Sequence, residues 1–372
     1  MVSGRSGRLA VALGRALSVA AMVWSTASAL AADLKGPVDV PARRALVGRP
    51  LGPVSCAAVP APVRDIAAEP FYSDRAGSVV DPARYAARER IVKPLEDYLR
   101  GVVKMTDRWI ESNPPRPETA RCALDWLDGW ARADAMLGQV TPQGGYERKW
   151  TLGGLALAYL NIREAPGLDA AAKARVEAWF ARLAAEVRRY YDRPPGRGVT
   201  DKLNNHRYWA ALAVAASAVA TGDRAGLDWA IEAYRVGIGQ VDADGMLPLE
   251  LARAGKALHY HAFSVTPLVM VAEIGAANGI DLYGERGGAL GRLVANVVGG
   301  LSDPSPFERR TDTKQGFVGS LSGWHVAWAE IWYARRRDAA VVPLLRTYRP
   351  LRNNWLGGNM SLGFGVPELP RP

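Results

Sequence analysis

Four histidines occur in 372 residues, and three of them fall in two short stretches, NNHRYW (204–209) and RAGKALHYHAF (253–263). A lone histidine reads as a core or cap residue; histidines gathered beside tyrosine and arginine read as chemistry. Asn205, His206, Arg253 and Tyr260 form a set of hydrogen-bond donors, a fixed positive charge and a phenol. That set suits the removal of a proton from a carbon next to a carboxylate. In a uronate sugar the C5 proton is only weakly acidic, because the charged C6 carboxylate resists becoming a dianion. Donors and positive charge must neutralise the carboxylate, a base must take the C5 proton, and an acid must protonate the departing O4. A tyrosine can serve in both steps if nearby cations help it ionise, since its ordinary pKa is about 10. None of this needs a metal, and no cofactor is expected.

Other chemistries find less support. His259 and His261 stand two apart, on different faces of a helix, with no carboxylate set to complete a zinc site. Asp242 and Asp244 in QVDADG read as a turn, short of the ligand count of a calcium loop. No G-x-S-x-G, phosphate loop or dinucleotide fingerprint is present. A glycoside hydrolase would need two carboxylates flanking the bond. Asp125, Asp128, Asp134, Glu147 and Glu250 are candidates, and nothing in the sequence singles out one pair.

The elements that must hold these residues are helices. Residues 32–82 are rich in Pro, Gly and Ala without sustained periodicity and read as a loop-rich lead-in. Beyond them the apolar spacing is helical. A first helix carries Leu95, Leu99, Val102 and Trp109 and stops at Asn113-Pro114-Pro115. A second opens at Pro117-Glu118 and closes at Gly138. A third lies in KWTLGGLALAYLNIRE and a fourth in LDAAAKARVEAWFARLAAEVRRYYDR. Pairs follow at 205–221 and 223–240, 262–279 and 286–300, 318–335 and 337–347. GGLALAYL and AALAVAASAVA are apolar all round, as inner helices are, whereas VEAWFARLAAEVRR is amphipathic. The pattern predicts an all-α protein, an incomplete α/α toroid built as a ring of antiparallel helix hairpins.

The first 31 residues read as a secretory signal peptide: Arg5, Arg8 and Arg15, then LSVAAMVW, then the A-x-A site Ala29-Leu30-Ala31. Residues 32–372 are expected to form a single catalytic domain, periplasmic, monomeric and not inserted in a membrane. Removing the leader lowers the formal charge from +10 to +7. A basic exported protein without a Lys/Arg run is a poor fit to nucleic acid and a better one to an anionic polymer. Cys56 and Cys122, the two cysteines present, are expected to pair as a disulfide in an oxidising compartment.

The blocks CALDWLDGWARADAML, ERKWTLGGLALAYL, NNHRYWAALAV, GQVDADGMLPLEL and ALHYHAF resemble the periplasmic alginate (mannuronate) lyases, polysaccharide lyase family 5, through most of residues 70 to 300. The resemblance implies an α/α toroid with a tunnel-like cleft and β-elimination of poly-β-D-mannuronate to oligomers with 4,5-unsaturated ends. It assigns carboxylate neutralisation to Asn205, His206 and Arg253, and the base and acid roles to Tyr260. Arg148, Trp150 and Trp209 become sugar contacts, and Tyr72 part of a lid over the cleft. Two departures stand out: Arg207 where the family has a small residue, and Leu249 where it often has asparagine. The segment NNWLGGNMSLGFG is harder to match. A lyase for another polyuronate such as polyglucuronate, a toroidal glycoside hydrolase and a non-catalytic polyanion-binding protein stay open at this level.

Overall fold

The computed structural model describes residues 34–370 except 195, 197 and 198, together with positions 1 and 4; the leader expected at 1–31 lies, but for those two positions, outside the described residues. From Leu34 onward the chain is one compact unit. Its helices, in chain order, are α1 (Val40–Val47), α2 (Pro82–Glu111), α3 (Pro117–Arg132), α4 (Pro142–Ile162), α5 (Ala170–Asp192), α6 (Asn205–Thr221), α7 (Arg224–Ile238), α8 (Pro248–Leu251), α9 (Ala257–Ala277), α10 (Glu285–Ser302), α11 (Ser305–Thr311), α12 (Trp328–Arg336), α13 (Val342–Tyr348) and α14 (Met360–Phe364). Starts are set by polar caps. The side chains of Asp81, Thr141, Asp169, Asn204 and Asp223 accept first-turn N–H groups of α2, α4, α5, α6 and α7, which otherwise lack partners. Proline occupies the first turn of α2, α3 and α4, where its missing N–H costs nothing.

The ring follows from which helices are apolar all round. Helices α4, α6 and α9 are buried on nearly every face. They form an inner series in which α2 packs on α4, α4 on α6, α6 on α9 and α9 on α12. Helices α3, α5, α7 and α10 are amphipathic and lie outside, α5 against α4 and α6, α7 against α6 and α9. This is the all-α toroid the periodicity predicts. Trp130, Trp179, Trp209 and Trp328 are fully buried between these layers.

The boundaries differ from the sequence reading most in three places; α9 also begins five residues earlier than read, at Ala257. Helix α3 ends at Arg132, not Gly138, because Asp134 and Met136 adopt positive φ and turn the chain. Helix α4 begins seven residues before Lys149, at Pro142, under the Thr141 cap. The stretch 318–327 is not helical; three glycines at 316, 319 and 323 favour turns, and α12 starts only at Trp328. The C-terminal segment closes the ring. A two-residue ladder pairs β1 (Arg352–Asn353) with β2 (Gly358–Asn359) around a 3-10 turn at Asn354–Leu356. This strap lies directly on α4 at Gly154, where an added Cβ would stand 2.3 Å from the Asn354 carbonyl oxygen.

Cys56 and Cys122 are bonded, with Cα atoms 5.2 Å apart. The bridge ties the extended lead-in to α3. Replacing both cysteines by serine is expected to lower stability by about 2–5 kcal/mol, read as a reduced urea midpoint with an unchanged helical signal.

Candidate active site

The first turns of α4, α6 and α9 line one cleft of about 600 Å³, and α2 runs along it from Tyr85 to Arg100. Helix N-termini carry partial positive charge, so these three inner helices bias the cleft toward an anion before any side chain is counted. Arg75, Arg88, Arg100 and Arg253 line it, against Glu89 and Glu96. An aromatic wall of Trp150, Phe263, Trp324 and Trp355 faces the same space. Trp150 and Trp355 stack with ring centroids 4.7 Å apart, an arrangement the strap makes possible by its close approach at Gly154.

Helix α6 brings His206 to the cleft and places Asn205 just below it. Asn204 is the cap, accepting the His206 N–H at 3.0 Å. Asn205 is fully buried and does not line the cleft. Its backbone N–H donates to Glu250 Oε1 at 2.8 Å, and its Nδ2 lies 3.0 Å from both Glu250 oxygens. Burial pushes the Glu250 carboxyl up, against the opposing pull of Arg253 and of the Asn205 donors. The His206 ring stacks on Tyr146 with centroids 3.9 Å apart, and its Nδ1 sits 3.1 Å from Lys149 Nζ. Burial first, then the charges of Lys149 and Arg253, hold the imidazole well below its ordinary range. At neutral pH His206 is uncharged.

Arg253 and Tyr260 come from the turn after α8 and the first turn of α9. The Arg253 guanidinium carbon lies 3.6 Å from the centre of the Tyr260 ring, stacked on the phenol's face rather than at its hydroxyl. The Tyr260 hydroxyl bonds that of Tyr72. Tyr72 belongs to a compact loop at 71–81, pinned by hydrogen bonds from Ser73 N–H to Val79 and from Asp81 N–H to Phe71. This loop touches the site twice, because Arg253 Nη2 also donates to the Gly77 carbonyl at 2.8 Å. Gly77 has φ +65°, and an added Cβ would lie 2.5 Å from Arg253 Nη2, so the loop needs glycine there for backbone and space alike. Burial raises the Tyr260 pKa well above 10 and outweighs the downward pull of Arg253. With the loop resting on it, Tyr260 is a phenol, not a phenolate.

The comparisons with known proteins decide the family. The alginate lyase family model matches residues 65–307. A polysaccharide lyase of Stenotrophomonas maltophilia is 36% identical over 87% of this chain and 96% of its own. An alginate lyase of Azotobacter vinelandii is 38% identical over 80% of this chain and 79% of its own. The chain belongs to the alginate lyase family. Its fold agrees: alginate lyase A1-III from Sphingomonas species A1 superposes with a TM-score of 0.77, 26% identity, 90% of this chain and 98% of that one. A tyrosine-to-phenylalanine variant of A1-III complexed with a tetrasaccharide gives a TM-score of 0.80 at the same identity, covering 91% of this chain and 98% of that one. As an alginate lyase, the protein is an enzyme whose substrate is an anionic polysaccharide.

Within this alginate lyase, the structure brings His206, Arg253, Tyr260, Tyr72 and Trp150 into one cleft. Two expected sugar contacts have no surface there. Trp209 is 1% exposed and packs behind the wall, 5.0 Å from Phe263 between ring centroids. Arg148 lines a separate small cavity with Tyr190 and Tyr191. Arg207 also turns away, its Nη1 reaching the carbonyls of Tyr191 and Lys202 at 3.4 Å. Of the five carboxylates weighed for a hydrolase, none lines the cleft. Asp128 and Asp134 are paired with arginines outside it, and Glu147 is clamped by Arg88 through two bonds of 2.8 and 2.7 Å. Sequence reasoning missed Trp324, His325 and Trp355. Trp355 had a signal, since NNWLGG was the segment without an assigned purpose; the other two lay in a stretch read as helix.

Proposed function

We propose that this alginate lyase cleaves poly-β-D-mannuronate by β-elimination outside the cytoplasm. Arg253 and the His206 ring N–H hold the C6 carboxylate, while Asn205, for which the resemblance implies the same task, is anchored on Glu250 beneath them. The carboxylate then tolerates the charge that builds when the C5 proton leaves. Tyr260 in its ionised form takes that proton, the C4–C5 double bond forms, and the C4–O4 bond breaks with its electron pair on oxygen. The same hydroxyl returns the proton to O4. A single acid–base residue suffices for mannuronate, whose C5 proton and O4 lie on one face of the ring. Trp150 and Trp355 offer flat surfaces to neighbouring sugars.

The observation that supports this reading best is that the first turns of three inner helices bring one arginine and a neutral histidine to one phenol. The expectation of export rests on the leader and on the Cys56–Cys122 bond. The test is an ultraviolet absorbance assay for unsaturated ends on polymannuronate, polyguluronate and polyglucuronate. Polymannuronate is expected to give the fastest rise. Equal or faster cleavage of either other polymer overturns the substrate assignment.

A further inference from the structure

We propose that Lys149 is a positioning residue that fixes His206 with its proton on Nε2, so that this histidine acts as a donor and not as a base. The inference rests on the reading of His206 as a carboxylate donor and supplies the reason it presents an N–H to the cleft.

Lys149 is 1% exposed on an inner helix, where a lysine has no ordinary structural purpose. Among the described residues it forms no ion pair. Its Nζ instead sits among ring faces, 4.1 Å from the centre of Tyr146, 5.2 Å from Trp150 and 5.4 Å from Tyr191. Such a cage favours a cation over a neutral amine and, with the charges of Asp201 and Glu147, works against the burial that holds the lysine's pKa well below its ordinary value. The nearby acids act on it by charge and not by a bond: Asp201 Oδ2 accepts the hydroxyls of Tyr146, at 2.7 Å, and of Tyr190, while its Oδ1 has no partner, and Glu147 is held by Arg88 and Gln143. Two polar contacts remain to Nζ, the Tyr191 hydroxyl at 2.8 Å and His206 Nδ1 at 3.1 Å.

An ammonium can only donate. With Lys149 protonated, the 3.1 Å contact makes His206 Nδ1 the bare nitrogen, and a neutral imidazole then carries its proton on Nε2. The Tyr146 ring stacked on the imidazole keeps it from turning over. Burial and adjacent cations keep it from taking a second proton.

The consequence is selectivity. Guluronate is the C5 epimer of mannuronate, so its C5 proton lies on the face opposite O4, and elimination needs a base other than the residue that protonates O4. His206 could be that base only with a lone pair on Nε2. The lysine removes that option and leaves the tyrosine route, which suits mannuronate.

The experiment uses the full chain with ¹⁵N-labelled histidine. Long-range proton–nitrogen correlations report which ring nitrogen is protonated, and a His206→Asn variant assigns the signal among the four histidines. Wild type is expected to show His206 protonated at Nε2 and bare at Nδ1. In Lys149→Met the signal should move toward the other tautomer. Turnover on polymannuronate should fall roughly 10-fold or more, as for lost partners behind a functional histidine, with KM changed much less. The ratio of polymannuronate to polyguluronate cleavage should fall as well. A proton on Nδ1 in the wild type, or an unchanged tautomer in a folded Lys149→Met protein, overturns the proposal. The wild-type spectrum decides this even if the variant does not fold. A tautomer that behaves as expected, together with full activity in His206→Asn, supports the lysine's role and overturns instead the reading of His206 as a carboxylate donor.

Discussion

Replacing Tyr260 by phenylalanine is expected to lower turnover on polymannuronate by about 10²–10⁴-fold, the usual loss when a positioned acid–base group is removed. The substitution keeps the ring and its stacking on Arg253 and deletes one hydroxyl. Among the described residues the one bond lost is that to Tyr72, so stability should change by about 1 kcal/mol at most. Circular dichroism and the urea midpoint should therefore stay close to wild type while the absorbance assay goes flat. Tyr72→Phe is the control, because it deletes the same hydrogen bond from the other side. It should cost far less activity. Equal losses in the two variants would mean that the hydroxyl pair, rather than Tyr260 alone, carries the proton.

Arg253→Ala should lower kcat/KM by about 10²–10³-fold, as for loss of one charge-stabilising group in a buried site. It should also change the pH profile, because Arg253 has two jobs. In the proposed mechanism it holds the substrate carboxylate, and its charge on the Tyr260 ring opposes the burial that raises that phenol's pKa. The base form of Tyr260 is the phenolate, so the rate of the wild type should climb with pH through the alkaline range. Without the arginine the phenol's pKa goes higher still, and the climb must begin at higher pH. Arg253→Lys keeps the charge and loses the planar fork, so it should recover part of the shift and less of the rate. Profiles that superimpose after correction for magnitude would contradict the coupling between Arg253 and Tyr260.

The all-α ring was legible because its signal is local. Apolar periodicity, polar caps and first-turn prolines each act within a turn or two of the helix they define. The stretch 318–327 misled because its apolar residues happen to fall at helical spacing, while the glycines among them favour turns. Trp209 shows a different limit: the sequence places it one turn beyond His206, but only the crossing of α6 with its neighbours decides that its indole enters the core. Trp355 comes from a strap some 150 residues after the NNHRYW stretch, and only closure of the ring brings it against Trp150. Lys149 was invisible for a physical reason as well. A lysine in sequence reads as a solvated charge, and its meaning appears only when three aromatic rings and a histidine surround it.

The residues of NNHRYW have separated into distinct tasks. Asn204 caps α6, Asn205 is anchored on Glu250, His206 faces the cleft, Arg207 faces away, and Tyr208 and Trp209 are core. Arg207, the departure from the family pattern, touches no cleft residue by hydrogen bond, and Arg207→Ala should leave the preference among polyuronates unchanged in the absorbance panel.

The most direct measurement is the mass of the oligomers released from polymannuronate by the wild-type enzyme. Elimination adds no water, so fragment masses should sum to that of the parent chain, with each new non-reducing end one water lighter than a saturated sugar. Fragments that each carry the added water would contradict the account.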